Sequence, residues 1–201
     1  MTVTQIEPVT KAKSRIYVDN KPEFLLYSRE LSRYQIREGK DLPEETFRVI
    51  VEEVLTKRAK QRAMYLLKSM DRTEYQLRLK LEEGEYPREA IDQAIAYVQS
   101  FHYLDDRRYA ENYVESRKGS MSRRELQQKL YQRGIPKALI QEALEGCEPD
   151  QEKASIQEWM RKKHYNPQEA TLEEQRRMYG FLLRKGFRTG DVLACMHMEW
   201  E

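Results

Sequence analysis

The sequence predicts a mostly α-helical protein: three tandem three-helix repeats forming an elongated, curved scaffold, with a small N-terminal β-hairpin region. Three observations carry that expectation. The first forty residues hold two short segments rich in β-branched and aromatic residues, RIYVD (Arg15–Asp19) and EFLLY (Glu23–Tyr27). From Pro43 onward, apolar residues recur at three- and four-residue spacing, the mark of one-sided helices. Finally, the segments Thr73–Ile95, Ser122–Leu144 and Glu174–Met196 align without gaps, and self-similarity at a near-fixed period is the signature of stacked repeats.

In chain order, Asn20-Lys21-Pro22 separates the two β segments and reads as a hairpin turn slightly longer than the tightest kind. Val3–Glu7 is a candidate third strand, and Ser28 is the expected cap of a short helix over Arg29–Arg37, stopped by Gly39. Pro43 opens the next helix, with Glu44 and Glu45 near its positive end. That helix carries Phe47, Ile50, Val51, Val54 and Leu55, and a following one carries Ala59, Ala63, Leu66, Leu67 and Met70. The pattern leaves open whether the two are one long helix bent near Thr56.

The repeats then share anchors. Leu77, Leu126 and Met178 coincide, as do Leu81, Leu130 and Leu182; after the turn come Tyr86, Ile135 and Phe187, then Ile91, Ile140 and Val192, then the small residues Ala94, Ala143 and Cys195. Thr73…Gln76, Ser122…Glu125 and Thr171…Glu174 fit the capping box. Gly134 and Gly186 fit left-handed stops, with Glu85 in the equivalent place, and Pro87 and Pro136 open the helices that follow. One more helix precedes each segment: Lys57–Met70, Asp106–Lys118 and Gln151–Lys163. The expected divisions are therefore residues 1–40 for the β-hairpin region and short helix, 41–104 for repeat 1 with its lead-in helix, 105–148 for repeat 2 and 149–201 for repeat 3. A three-helix unit buries too little surface alone, so neighbours must complete its core.

Charge narrows the function. Charged residues make up 35% of the 201 residues, yet the net charge is only +2, so arrangement rather than total carries information. From Arg107 to Lys137 nine basic residues face three acidic ones, an excess of six positive charges. Repeat 1 has a similar basic run in its first two helices, while acid gathers later, at Glu82, Glu83, Glu85, Glu89 and Asp92, and again at Glu142, Glu145, Glu148 and Asp150. A single charge run is usually a solvated face, but its recurrence at one place in successive repeats predicts a basic stripe for nucleic-acid phosphates or an acidic protein groove. Short helices on tight turns also resemble helix-turn-helix DNA readers, although the Arg123-Arg124 pair alone favours phosphate contact over base reading. In Asp106–Lys118, Tyr109 and Tyr113 stand four apart and read as core and rim aromatics; the alternative is a partner-binding pair.

Catalysis is not expected. His102, His164 and His197 are scattered, and neither HExxH nor a glycine-rich phosphate loop occurs. Cys195-Met196-His197 lacks the further ligands of a metal site, Cys195 falls on a repeat core position, and Asp105-Asp106 suits helix capping. No cofactor is implied. Cys147 and Cys195 make neither a disulfide framework nor CxxC, no apolar run reaches membrane-spanning length, and MTVTQIEPVTKAK has no signal-like core. These point to a reduced, cytoplasmic protein. Without a heptad seam, a monomer is the default.

The blocks YLDDRRYAENYVESR (Tyr103–Arg117) and SRRELQQKLYQRGIP (Ser122–Pro136), preceded in order by RIYVDNKPEFLLY and TEYQLRLKL, resemble the bacterial regulatory family RecX. The likeness extends over nearly the whole chain, strongest from Arg72 to Leu144, with a divergent third repeat. It implies a modulator that binds the RecA filament on single-stranded DNA and inhibits its ATPase, coprotease and strand-exchange activities by hindering extension or promoting disassembly. It transfers no catalytic residue and no sharp binding motif. On charge and position the expected contact residues are Arg107, Arg108, Arg117, Lys118, Arg123, Arg124, Lys129 and Arg133, meeting RecA, DNA phosphates or both. A helical-repeat DNA binder acting without RecA, and a helical adaptor whose charge serves solubility, are the competing readings.

Overall fold

The computed structural model describes residues 1–146 and 149–197. Cys147 and Glu148, and the side chains of Pro149 and Asp150, lie outside the described residues, as do residues 198–201. The chain divides into two compact units, Met1–Asp105 and Asp106–Glu201.

The first unit opens on an antiparallel sheet in the order β1-β2-β3, with β1 Val3–Thr10, β2 Lys13–Val18 and β3 Lys21–Tyr27. The third-strand candidate is thus a strand, three residues longer than expected. The turn between β2 and β3 is shorter than expected: Val18 pairs with Lys21, and Asp19 and Asn20 both take positive φ (48° and 66°). Two left-handed residues give a primed turn, whose twist matches that of the strands. Asp19 accepts a hydrogen bond from the Thr2 amide (2.8 Å), and the Asn20 amide donates to Thr4 Oγ1 (3.0 Å). Alternation along β2 and β3 buries Ile16, Val18, Phe24 and Leu26.

Helix α1 covers only Ser28–Arg33. Its first-turn Glu30 carboxylate accepts the Tyr27 amide (2.8 Å), so Ser28 is the first helical residue rather than the cap. Gln35, at φ 54°, stands just beyond the helix, well before Gly39. The helical stretch after Pro43 is continuous: α2 Glu44–Val49, a π-helical segment Ile50–Leu55, then α3 Thr56–Ser69. Phe47, Val51, Leu55, Ala59 and Ala63 are each four residues apart. At 3.6 residues per turn such a row drifts by about 40° per step. Wider π turns compensate, and they keep Ile50, Val51, Leu55, Ala59 and Ala63 in the core with the sheet.

Each repeat follows one plan. The second helices are α4 Glu74–Glu82, α7 Arg123–Gln132 and α10 Leu172–Arg184; the third are α5 Arg88–Ser100, α8 Lys137–Glu145 and α11 Thr189–Met196. Repeats 2 and 3 begin with α6 Asp106–Glu115 and α9 Pro149–Lys162. Between second and third helices, Glu85, Gly134 and Gly186 take φ of 54°, 78° and 85°. The amides of Tyr86, Ile135 and Phe187 reach back to the carbonyls of Leu81, Leu130 and Leu182, which closes each helix and turns an apolar residue inward. Leu81, Leu130 and Leu182 are fully buried in their respective cores.

Glu85 occupies a position that favours glycine at a cost of about 1–2 kcal/mol, and it uses its side chain. Its carboxylate takes two bonds from the Arg15 guanidinium (2.6 and 2.7 Å), which also holds Glu7, tying the sheet to repeat 1. Arg15 holds the Glu85 carboxyl below the ordinary carboxylate range. A depressed pKa contributes stability above about 4.3 that is lost as pH falls through the folded-state value. Acid denaturation of the first unit is therefore expected to be shallower in Arg15→Met than in the parent. Equal slopes in a pH series of urea unfolding curves would remove this tie from the account.

Thr73 and Thr171 make full capping boxes with Gln76 and Glu174. Ser122 makes only half of one. Its hydroxyl accepts the Glu125 amide (3.0 Å) and donates to the Lys185 carbonyl (2.7 Å), while the Glu125 carboxylate turns toward the Lys185 ammonium (3.7 Å). Repeats 2 and 3 share further bonds: Ser155 Oγ to the Lys118 carbonyl (2.9 Å), Trp159 Nε1 to the Ser120 carbonyl (2.8 Å), and the Arg123 amide to the Glu152 carboxylate (2.7 Å). Gly186 serves this joint twice, since a Cβ there would stand 2.8 Å from Ser122 Oγ as well as demand the left-handed backbone. Cys195 sits half-buried in the third core, its thiol pushed up by burial. Among the described residues no helix is long and apolar enough to cross a membrane.

Candidate functional site

All eight expected contact residues lie in repeat 2, but the fold gives them different work. Tyr113, buried in the core of this repeat, stacks on Tyr109 with centroids 6.3 Å apart and planes 12° apart. The Arg117 and Arg133 guanidiniums both lie over the Tyr113 ring, at 4.2 and 4.6 Å from its centroid. Arg117 also donates to Ser116 Oγ, and Arg133 to the Lys129 carbonyl. These two arginines cover the aromatic edge of the core, an attraction of cation to ring face. Arg123 donates to the Leu144 carbonyl (2.6 Å), satisfying the last turn of α8, whose carbonyls otherwise lack partners. Lys118 pairs with Glu115 (2.7 Å), and Arg107 with Glu142 across to α8.

Arg108 is exposed on α6 and Arg124 on α7, while Lys129, half-buried, lies five residues beyond Arg124 on the same helix, about 140° around it. Neither Arg124 nor Lys129 has an acidic partner among the described residues. Within the basic run the tyrosines pack, and part of the positive charge is bound internally. Tyr113 and Arg117 four apart on one helix signalled part of this; the reach of Arg123 to Leu144 had no local signal, because it crosses 21 positions.

Repeat 1 treats its basic run similarly. Arg58 pairs with Glu30 and donates to the Leu25 carbonyl (3.2 Å), Arg78 bridges Glu74 and Asp92, and Lys80 pairs with Glu83. In repeat 3 a groove of about 600 Å³ opens between residues 163–170 and α10. Lys163, Arg177 and Arg184 in its wall are offset by Glu169 and Glu174, so it offers little net attraction to an anion. Among the described residues no cluster of His, Cys, Asp or Glu has a metal-holding arrangement.

Three successive three-helix modules, each with a left-handed residue between its second and third helices, define a tandem helical-repeat protein. Comparison with known proteins makes the class specific: residues 59–97, 105–144 and 150–196 match the first, second and third three-helix domains of RecX. The chain belongs to the RecX family. The regulatory protein RecX of Clostridium acetobutylicum is 27% identical over 198 residues, covering 95% of this chain and 92% of its own. That of Cronobacter sakazakii is 34% identical over 145 residues, covering 66% and 87%. A crystal structure of regulatory protein RecX matches with a TM-score of 0.62 at 23% identity, over 98% of this chain and 99% of that one. RecX from Lactobacillus salivarius matches at 0.58 and 17%, over 71% and 95%.

Proposed function

We propose that this chain is a non-enzymatic, cytoplasmic, monomeric regulator of RecA. It binds the RecA filament on single-stranded DNA and inhibits its ATPase, strand-exchange and coprotease activities by blocking extension or promoting disassembly. The observation that carries the reading is the ordered set of all three RecX three-helix domains in one chain, whose relatives bear the name of regulatory protein. Linked modules suit a periodic partner, because weak contacts to successive protomers multiply when one scaffold holds them. On repeat 2, Arg124 and Lys129 contact the partner from two sides of α7, and Arg108 adds its exposed charge from α6. Arg107, Arg117, Lys118, Arg123 and Arg133 brace the repeat, and their remaining exposed surface adds to the contact.

The test is DNA-dependent ATP hydrolysis by the cognate RecA, with the protein titrated before and after filament assembly. Inhibition well below one molecule per RecA is expected, and stronger when the protein is present during assembly, since one capped end stops many additions. No inhibition in either order, together with tight binding to free DNA, would replace this reading with a DNA binder acting without RecA.

A further inference from the structure

Repeat 1 carries an exposed aromatic surface that the filament contacts on repeat 2 do not use. Tyr97, Phe101 and Tyr103, at the end of α5, are 37%, 54% and 51% exposed. The rings touch in sequence: Tyr97 and Phe101 have centroids 5.0 Å apart, edge to face, and Phe101 and Tyr103 stack at 6.0 Å with planes 20° apart. Single exposed aromatics are ordinary, whereas a contiguous group marks an interaction site. The support is rigid. His102 takes φ 56°, its amide donates to the Gln99 carbonyl (2.9 Å), and the Tyr103 amide donates to the Val98 carbonyl (3.0 Å). This closed helix end fixes where Phe101 and Tyr103 point.

The neighbouring α3 supplies charge of one sign. Its sequence, Thr56–Ser69, contains five basic residues and no acid. Lys57, Lys60 and Lys68, with Met64 between, fall on one face at helical spacing. The Lys60 ammonium lies over the Tyr97 ring, 5.3 Å from its centroid, so this face meets the aromatic group directly. None of the three lysines has an acidic partner among the described residues.

We infer that the Tyr97–Phe101–Tyr103 surface stacks the bases of single-stranded nucleic acid, with the α3 lysines beside it taking the phosphates. Rings beside unpaired cations are the arrangement that binds a single strand without sequence preference, because every base has a face to stack while the backbone follows the charge. A duplex hides its base faces and is excluded. The inference does not rest on the filament reading, since it concerns naked strand and a different repeat.

The experiment is fluorescence anisotropy of the whole chain with a labelled oligothymidine of about 16 nucleotides, beside an abasic strand of the same length. Phe101→Leu and Tyr103→Leu remove the aromatic faces and keep apolar volume. Each is expected to weaken oligothymidine binding roughly fivefold, at about 1 kcal/mol per stacked base, and to leave abasic binding unchanged. Lys60→Ala with Lys68→Ala is expected to weaken both strands alike. An abasic strand bound as tightly as oligothymidine, or binding unmoved by the leucine variants, would overturn the inference. So would absent strand binding with capture of polyglutamate, which would assign the surface to an acidic peptide. ATPase inhibition measured on the leucine variants separates this outcome from the fate of the filament reading.

Discussion

Replacing Leu130 by Ala is expected to cost about 2–5 kcal/mol and to melt the second unit well below its parent midpoint. Leu130 is fully buried among Ala110, Val114, Leu126, Ile135, Ile140 and Leu144. Its carbonyl also accepts the Ile135 amide that closes α7 (3.2 Å), so the side chain packs where the backbone turns. The equivalent Leu81 belongs to a larger core shared with the β-sheet. The core around Leu130 is smaller, so the same loss takes a larger part of a total that is only about 5–15 kcal/mol for a typical domain. The neighbouring Tyr131 is 70% exposed, and Tyr131→Ala is expected to stay within about 0.5 kcal/mol of the parent. Urea unfolding followed by circular dichroism compares the two. A Leu130→Ala loss below about 1 kcal/mol would mean that repeat 2 does not pack as described.

The features legible in the sequence were local or periodic. Leucine anchors, threonine caps and left-handed stops each act within one or two helical turns, so the residues that cause them sit side by side in the chain. The four-residue spacing from Phe47 to Ala63 left open a bend near Thr56; the structure instead continues the helix through a π-helical segment over Ile50–Leu55. What escaped was set by distance along the chain. Ser122 looked like an ordinary cap, but its hydroxyl also bonds to Lys185, 63 positions away, and the Glu125 carboxylate turns to the Lys185 ammonium instead of completing the box. Glu85 was placed by sequence at the glycine-like stop, but the role of its side chain came only with Arg15, 70 positions earlier. The division of labour among the site's basic residues escaped for the same reason. Charge counts treat every arginine alike, whereas a guanidinium over a buried ring or a helix end is already committed to the fold.

That distinction decides how the site must be tested. Arg123→Glu would aim a carboxylate at the α8 carbonyl end and lose the bond to Leu144. Arg117→Glu or Arg133→Glu would strip a cation from the Tyr113 ring. Lost inhibition in any of these could mean only a damaged repeat. Arg124→Glu with Lys129→Glu avoids the confusion, because neither side chain is paired within the described residues. Exposed ion pairs contribute about 0.2–1 kcal/mol each, and reversal replaces attraction by repulsion at two positions. A rise of roughly tenfold to thirtyfold in the concentration needed to inhibit RecA is therefore expected, with unfolding unchanged. The gap between variant and parent should narrow as salt rises, since the Debye length falls from about 10 Å at 0.1 M to about 3 Å at 1 M. Salt alone does not tell a RecA carboxylate from a DNA phosphate, as both are screened. Naked-strand binding does: a matching loss there would place Arg124 and Lys129 on phosphates, and intact strand binding would place them on RecA. A double reversal that inhibits as well as the parent at moderate salt would remove these two side chains of α7 from the contact.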